Sequence, residues 1–164
     1  MTSIVQIRDC RGEDIPAISA LYFNTVHNVN SRDYTPDQIN AWAPEVYPES
    51  FWKERFAIYQ VFVAQCKQDI VGFTELGKTG HIECFYVHHQ WQGHGVGSKL
   101  MAHIEAEADR QNISRLSADV SVTARPFFER KGFTVVKAQQ KKYRGQIFQQ
   151  YRMEKGLTSV KANG

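Results

Sequence analysis

Gln92-Gly93-His94-Gly95-Val96-Gly97-Ser98 separates a predicted strand over residues 81–87 from a predicted helix over residues 95–111. Glycine at alternate positions removes side chains, so backbone N–H groups can point outward together at the positive end of the helix dipole. This arrangement is typical of a site for a pyrophosphate. The alternative is a glycine turn that holds no ligand.

Two other classes of phosphate-binding turn fit this segment poorly. The chain has no G-x-x-x-x-G-K-[ST] motif, which excludes a P-loop. For the dinucleotide fingerprint the third glycine comes one residue too early, and four residues separate the strand from the turn. Asp119 lies near enough to imitate the acid that binds ribose in that fingerprint, so the dinucleotide alternative is weakened but stays open.

On both sides of the turn, the apolar pattern predicts one α/β domain, an α+β arrangement of a mixed sheet with packed helices. Strands are predicted at residues 4–8, 60–66, 70–76, 81–87, 114–120, 133–136 and 147–153, and helices at 12–26, from 35, at 49–57, 95–111 and 123–132. Thr35-Pro36-Asp37-Gln38 is a strong helix start, with Thr35 as cap and Gln38 bonding back. Three consecutive strands predict antiparallel pairing, and residues 81–120 predict a parallel crossover.

Length and composition exclude several other classes of protein. The 164 residues suit a single domain, predicted over residues 1–154, with a tail at 155–164 expected to be disordered. No apolar run approaches the roughly 20 residues that cross a bilayer, so we expect no membrane partner. The three cysteines are odd in number and lack a C-x-x-C pair, which argues against a disulfide framework and favours a reducing cytoplasm.

Charge is distributed unevenly along the chain. Residues 1–124 carry 10 Lys and Arg against 15 Asp and Glu, whereas residues 125–164 carry 10 against 2. A basic end attracts an anionic cofactor or nucleic acid, or is simply a solvated surface. Lys141, Lys142 and Arg144 flank Tyr143, which makes a nucleic-acid-binding module the third-ranked hypothesis. We expect no nucleic-acid partner.

Two segments together resemble a known family. Val87-His88-His89-Gln90-Trp91-Gln92-Gly93-His94-Gly95-Val96-Gly97 resembles the acetyl-CoA signature of the GNAT acetyltransferase superfamily, in which Gln/Arg-x-x-Gly-x-Gly/Ala follows a strand-ending valine. Ala124-Arg125-Pro126-Phe127-Phe128-Glu129-Arg130-Lys131-Gly132-Phe133 is similar to the family's A-x-x-F-Y-x-x-x-G-F. The strand order also matches, so the resemblance covers nearly the whole chain. It implies a GNAT-like mixed sheet of about seven strands flanked by about four helices.

The resemblance also implies a reaction and a cofactor site. It implies an N-acetyltransferase that moves an acetyl group from acetyl-CoA to a primary amine. The strand before the turn would splay from its neighbour and admit acetyl-CoA, so Phe85, Tyr86 and Val87 would pair with the pantetheine arm. An N–H near Val87 would face the thioester oxygen. The turn residues Gln92 to Ser98 and Phe128 complete the cofactor-binding set.

By the same resemblance, Glu83 and His81 are the catalytic candidates, acting as base through a water. Both stand on one face of the strand with Phe85 and Val87, because side chains alternate along a strand. The alternative is an ordinary polar strand end, with Glu83 paired with a lysine. His88, His89 and His94 form a local cluster, but we expect His88 and His89 to point to opposite sides of the chain. No metal is therefore expected.

Phe128 departs from the family pattern, because the family often has a tyrosine there that protonates the leaving thiolate. Either Tyr143 or Ser121 substitutes, or water protonates the thiolate, or activity is lost. The last case leads to the alternative function, a CoA-binding sensor or a catalytically degenerate protein of this fold.

The acceptor site is expected at the N-terminal helices, from Asn28, Tyr34 and Trp42. The aromatic residues of this region predict a pocket for a small amine or an aromatic compound. In the alternative, Trp42 and Trp52 only pack the helices onto the sheet. The substrate is thus a small-molecule or peptide amine. A homodimer is possible, because the terminal strands of such folds often pair between chains.

Overall fold

A computed structural model describes residues 4–158, and its centre is a seven-stranded mixed sheet. The strands are β1 Val5–Asp9, β2 Tyr59–Cys66, β3 Asp69–Gly77, β4 His81–Val87, β5 Arg115–Ser121, β6 Thr134–Tyr143 and β7 Gln146–Gly156. They lie in the order β1-β2-β3-β4-β5-β7-β6, and the parallel pair is β4–β5. The predicted antiparallel run and the parallel crossover are both confirmed.

Within the described part of the chain, five α-helices cover the two faces of the sheet, where about four were expected. They are α1 Ile15–Asn28, α2 Pro36–Trp42, α3 Glu49–Arg55, α4 Val96–Arg110 and α5 Arg125–Arg130. Side chains alternate along β2, so Phe62 packs with α4 on one face while Val63 packs with α1 and α3 on the other. Within residues 4–158, none of the helices has the length and apolar character needed to cross a membrane.

The start of α2 follows its sequence closely. The Thr35 Oγ1 accepts the Gln38 N–H at 3.2 Å, and the Gln38 Oε1 accepts the Thr35 N–H at 2.8 Å. This reciprocal cap satisfies two backbone donors that a helix end leaves without partners. The predicted capping box is therefore confirmed.

The last hairpin is longer than the sequence pattern predicted. Strand β6 continues to Tyr143 instead of ending at residue 136, and β7 begins at Gln146 after a two-residue turn of Arg144 and Gly145, both with positive φ. Strand β6 is the edge of the sheet and is mostly exposed, so it lacks the apolar alternation that marks a half-buried strand. The predicted tail begins too early, because β7 extends to Gly156. Residues 159–164 lie outside the described part of the chain.

A gap in the sheet lies between β4 and β5. These parallel strands pair only at His81 with Ser117 and at Ile82 with Ala118, and then diverge. Helix α4 connects them and begins at the wide end of the gap. The fold therefore brings a helix N-terminus and an unpaired strand edge to one opening.

A buried ion pair holds the N-terminus of α1 to β1. Two oxygens of Asp14 accept hydrogen bonds from the Arg8 guanidinium at 2.8 and 2.9 Å, and Asp14 also accepts the Arg11 N–H at 2.8 Å. The hydrogen bonds from Arg8 lower the pKa of Asp14, against the opposing effect of burial.

We expect Asp14→Asn to lower the free energy of unfolding by about 2 kcal/mol at pH 7, because a charged hydrogen-bonded pair is lost. The folded-state pKa lies below the unfolded value of about 3.9, so this stabilisation is complete above pH ~3.9 and is lost as the pH falls through the folded-state pKa. Urea unfolding at several pH values measures the difference. The control is Asp37→Asn, an exposed acid in the first turn of α2, expected to cost less than about 1 kcal/mol. Equal losses in both variants would contradict the prediction.

Candidate active site

A cavity of about 740 Å³ fills the gap between β4 and β5. At one end it is lined by the glycine turn that precedes α4, and at the other by side chains from α1–α3 and the β6–β7 hairpin. Strand β4 lines its length from His81 to Val87. The cavity therefore joins the predicted cofactor site to the predicted acceptor site.

The glycine turn presents an uncapped helix N-terminus to this cavity. Gly95 is the cap residue of α4, with φ +80°, and no side chain bonds the first turn. Gly93 also has a left-handed conformation, with φ +75°. A Cβ added at Gly93 or Gly95 would meet no protein atom within 4 Å. The N–H groups of the first turn therefore need an external partner, and an anion suits both them and the helix dipole.

Gly97 has a different role in the same turn. A Cβ at Gly97 would lie 3.0 Å from the ring of Phe127, so this glycine allows α5 to approach α4. Of the predicted cofactor-binding residues in the turn, His94 alone does not line the cavity, and its ring packs 5.8 Å from that of Trp91. The others do line it: Gln92, Gly93, Gly95, Val96, Gly97 and Ser98.

The wide end of β4 turns backbone groups towards the gap. The His88 N–H donates to Val71 O at 2.8 Å on the β3 side, so alternation directs the N–H groups of Phe85 and Val87 towards β5. The carbonyl oxygen of Val87 accepts the Thr25 hydroxyl at 3.1 Å and the Gln92 amide at 2.8 Å. These two side chains fix the end of the strand, next to the glycine turn.

Glu83 and His81 lie together at the narrow end of the gap. The Nε2 of His81 is 3.4 Å from Glu83 Oε2, and the nearest guanidinium nitrogen of Arg55 is 4.0 Å from Glu83 Oε1. The hydrogen bond from His81 lowers the pKa of Glu83, although partial burial opposes it. Glu83 is therefore an ionised carboxylate at neutral pH. The groups nearest its oxygens are His81 and Arg55, and the charge of Lys141 also lowers its pKa.

Residues on β5 and β7 orient the His81 ring. The Nδ1 of His81 lies 3.0 Å from Ser117 Oγ and 3.4 Å from Arg152 Nη1. Because a guanidinium can only donate, Nδ1 is the acceptor and the ring proton is on Nε2, facing Glu83. Asp119 lies 3.9 Å from the same Nε2. The sequence interpretation missed this role for Ser117 and Asp119, although they stand on one face of a predicted strand.

Phe128, which was predicted to bind the cofactor, lines the cavity and belongs to the core beneath it. It is 3% exposed and packs edge-on against Phe85 and Phe133, with ring centroids 5.6 and 5.0 Å away. Ser121 and Tyr143 both line the cavity. The Ser121 Oγ accepts the Ala124 N–H at 3.1 Å, which leaves the proton of this hydroxyl available.

The far end of the cavity is lined by aromatic rings, which we call the aromatic wall: Tyr22, Trp42, Phe51, Trp52, Tyr143 and Phe148. Trp42 was predicted here, and its Nε1 donates to the Tyr22 hydroxyl at 2.9 Å. Trp52 is 1% exposed and stands edge-on to Phe73, so it packs α3 onto the sheet, as the alternative interpretation held.

Of the other two predicted acceptor residues, only Tyr34 lines the cavity. Its hydroxyl donates to Gln149 O at 2.7 Å and accepts the Val122 N–H at 3.0 Å, so it ties the loop before α2 to the sheet. The prediction for Asn28 is not supported, because Asn28 is exposed at the end of α1 and donates to Asn24 O. The helix ends there, and the next turn directs Asn30 to the cavity instead.

A buried ion pair lies next to the aromatic wall. The Arg55 guanidinium donates to both carboxylate oxygens of Glu75, with the Nε hydrogen bonds at 2.9 and 2.8 Å. Glu75 is 1% exposed. Burial alone would lower the pKa of Arg55, but the hydrogen bonds with Glu75 raise it above its usual value. The same guanidinium lies 5.2 Å from the centre of the Phe51 ring and 6.0 Å from that of Trp52.

The histidine cluster is arranged differently from the prediction. His88 and His89 stack with ring centroids 4.5 Å apart, so they do not point to opposite sides. The extended strand ends at Val87, and residues His89–Trp91 form a 3-10 turn that brings neighbouring side chains together. Among residues 4–158 no three His, Cys, Asp or Glu side chains are grouped to hold a metal ion.

This fold and cavity have counterparts among known proteins. The family model of the acetyltransferase (GNAT) domain matches residues 30–155. The chain is 37% identical over 151 residues to the uncharacterised N-acetyltransferase YafP of Escherichia coli K12, covering 91% of this chain and 94% of that one. A crystal structure of a GCN5-related N-acetyltransferase from Rhodopseudomonas palustris superposes with a TM-score of 0.89 and 25% identity, over 96% of this chain and 99% of that chain.

A second solved structure contains acetyl-CoA. The structure of yncA from Salmonella typhimurium with its cofactor acetyl-CoA superposes with a TM-score of 0.72 and 20% identity, over 96% of each chain. The family match covers most of the chain, and it agrees with the divergent strands and the uncapped helix at the glycine turn. The protein therefore belongs to the GNAT family of acetyltransferases.

Proposed function

We propose that the protein transfers the acetyl group of acetyl-CoA to the primary amine of a small molecule in this cavity. The proposal rests on one observation, which is that two structural features meet at the same opening of the sheet. The strands β4 and β5 diverge after two paired residues, and the uncapped N-terminus of α4 lies at the wide end. A pyrophosphate suits the helix N-terminus, and an amide-containing arm suits the unpaired edge of β4.

We assign a part in the reaction to several residues at this opening. Acetyl-CoA, when bound, supplies a thioester as acetyl donor. The turn from Gln92 to Ser98 binds its pyrophosphate, and the backbone of Phe85 to Val87 aligns the arm. The Val87 N–H donates to the oxyanion that forms on the acetyl oxygen. Glu83 receives the proton of the amine through a water, while His81 holds the carboxylate in its ionised form.

Protonation of the departing sulfur does not need a side chain. A thiol with a pKa of about 8.5 leaves readily as the anion at neutral pH, so the phenylalanine at position 128 is compatible with turnover. The Ser121 hydroxyl is the alternative proton donor to the sulfur, because it lines the cavity and accepts, rather than donates, its hydrogen bond with Ala124.

The β6–β7 hairpin favours a small acceptor over a peptide. The Arg144 Nη1 donates to Ala41 O and to the Tyr47 hydroxyl, both at 3.1 Å. The Gln38 amide donates to Ile147 O at 2.7 Å. These bonds join the hairpin tip to α2 and the loop that follows it, so the acceptor end of the cavity is bounded by chain.

We also propose a location and an oligomeric state for the protein. We place the enzyme in the cytoplasm, because none of its three cysteines forms a disulfide. A homodimer through the exposed edge of β6 is compatible with the sheet order and is tested by light scattering.

Calorimetry with acetyl-CoA, followed by thiol release with a broad panel of amines, tests the proposal. We expect micromolar to submillimolar binding and CoA release with at least one small amine. Absence of binding at millimolar acetyl-CoA would overturn it. Binding without turnover on any amine would instead favour the CoA-binding sensor.

A further inference from the structure

The charges around the aromatic wall bear on the kind of amine that it accepts. Aromatic ring faces attract cations, so a wall of free rings would suit an alkylammonium group. Here several of these faces already hold cations of the protein. Arg55 lies over Phe51, Trp52 and, at 5.2 Å from its ring centre, Tyr59. Arg144 lies over Tyr143 at 4.8 Å.

A further cation lies at the same end of the cavity. Lys141 lines the cavity, and its Nζ is 6.0 Å from the centre of the Tyr143 ring. The charge of Arg55 is compensated by its ion pair with Glu75, so the positive charge that adjoins the wall comes from Lys141 and Arg144 of the β6–β7 hairpin. This charge repels a cationic group at the ring end of the acceptor, whereas a neutral ring can pack against rings and guanidinium planes.

We propose that the acceptor is a neutral arylamine, whose ring packs on the aromatic wall and whose amino group lies beside Glu83. This inference rests on the proposed function and names its substrate class. Arg55 connects the two parts of the site, because it contacts the Phe51 ring and lies 4.0 Å from Glu83. An acceptor of one ring and one amino group therefore spans from the wall to the carboxylate.

The chemistry of the base agrees with this choice. An alkylamine with a pKa near 10.4 is neutral in only about 1 molecule in 2,500 at pH 7, so it needs a strong base. The hydrogen bond from His81 lowers the pKa of Glu83, which makes Glu83 a weak base. An arylamine is already neutral at pH 7, because its ring delocalises the nitrogen lone pair. It loses its proton only as the bond to carbon forms.

The proposed step balances without any further reactant. The nitrogen lone pair forms a bond to the acetyl carbon, and the C–S bond breaks with its electron pair on sulfur. The nitrogen proton passes to Glu83 through a water and then to solvent, and the thiolate takes a proton from solvent. The products are an N-aryl acetamide and CoA.

Three amines that each carry one six-membered ring test the proposal at pH 7. Aniline and cyclohexylamine share one ring and one amino group, but only aniline is aromatic and neutral. Benzylamine is aromatic but protonated, so it separates ring recognition from amine charge. We expect kcat/KM for aniline to exceed that for cyclohexylamine by at least about tenfold, with benzylamine between them. The reaction is followed by CoA release and by mass spectrometry of the acetylated product.

Two variants of Phe51 test whether the aromatic wall recognises the ring of the acceptor. Phe51 is 36% exposed, so its replacement leaves the core intact. We expect Phe51→Ala to lower kcat/KM for aniline by about 3- to 10-fold and to change that for cyclohexylamine less. Phe51→Tyr keeps the ring and is expected to lose less than Phe51→Ala. Circular dichroism checks that each variant is folded.

The outcomes separate this inference from the proposed function. Cyclohexylamine as good as aniline, or other amines acetylated while aniline is not, would overturn the arylamine assignment and leave the acetyltransferase proposal standing. A loss at Phe51 that is equal for both amines would also overturn it. No CoA release with any amine would overturn both.

Discussion

Replacing Gly95 by valine is expected to weaken acetyl-CoA binding by about 30-fold, which corresponds to about 2 kcal/mol of backbone strain and displacement. Gly95 has φ +80° and forms the cap of α4 without any side-chain partner. A β-branched residue rarely adopts this conformation, so the turn must move. The N–H groups that face the pyrophosphate then lose their common direction. Calorimetric titration with acetyl-CoA measures the effect.

Gly145→Val is the matched control for this experiment. Gly145 also has φ +80°, and a Cβ there also meets no protein atom within 4 Å. It lies in the β6–β7 turn, away from α4, so its replacement adds similar strain without touching the glycine turn. Gly97 does not serve, because a Cβ there would press on Phe127 at 3.0 Å. If Gly95→Val binds acetyl-CoA as tightly as Gly145→Val does, the pyrophosphate is not at the mouth of α4.

Elements with one buried face were predictable from the sequence, because burial imposes a period. Helix α4 places Leu100, Met101 and Ile104 in the core, and their spacing alone is enough to indicate a helix. Strand β6 has no such constraint, since residues such as Gln140 and Lys142 are exposed along the sheet edge. Its pairing with β7 is set by the Arg144–Gly145 turn, in which a non-glycine residue takes φ +47°. Of the two turn residues, only Gly145 can be recognised from the sequence as one that favours a positive φ.

The cofactor side and the acceptor side of the site also differ in how far the sequence predicts them. The cofactor side depends on local backbone, so one continuous segment from Val87 to Ser98 carries most of it. The acceptor side joins Tyr22, Phe51 and Tyr143 from distant segments, and no spacing in the sequence relates them. Asn28 illustrates the limit, because the choice between Asn28 and Asn30 depends on where α1 ends. Resemblance could propose Glu83 and His81 as candidates for the base, but the contact of His81 with Asp119 requires β4 and β5 to be paired.

Replacing Glu83 by glutamine is expected to lower kcat by about 10²- to 10⁴-fold, the range typical of a lost general base. The side chain keeps its size, and the groups that bind acetyl-CoA are on other residues. The dissociation constant for acetyl-CoA should therefore change little. Steady-state rates and calorimetry on the same preparation separate the two quantities.

Asp119→Asn and His81→Ala make the test of Glu83 specific. Asp119 lies 3.9 Å from the histidine nitrogen that faces Glu83, so it is the carboxylate most similar in position. The hydrogen bond from His81 lowers the pKa of Glu83, so without His81 that pKa rises towards the ordinary value of 4.5. Because Glu83 acts in its ionised form, His81→Ala should move the acid limb of kcat to higher pH, and Asp119→Asn should cost less than Glu83→Gln. A larger loss in Asp119→Asn, with Glu83→Gln near the wild-type rate, would transfer the role of base to Asp119.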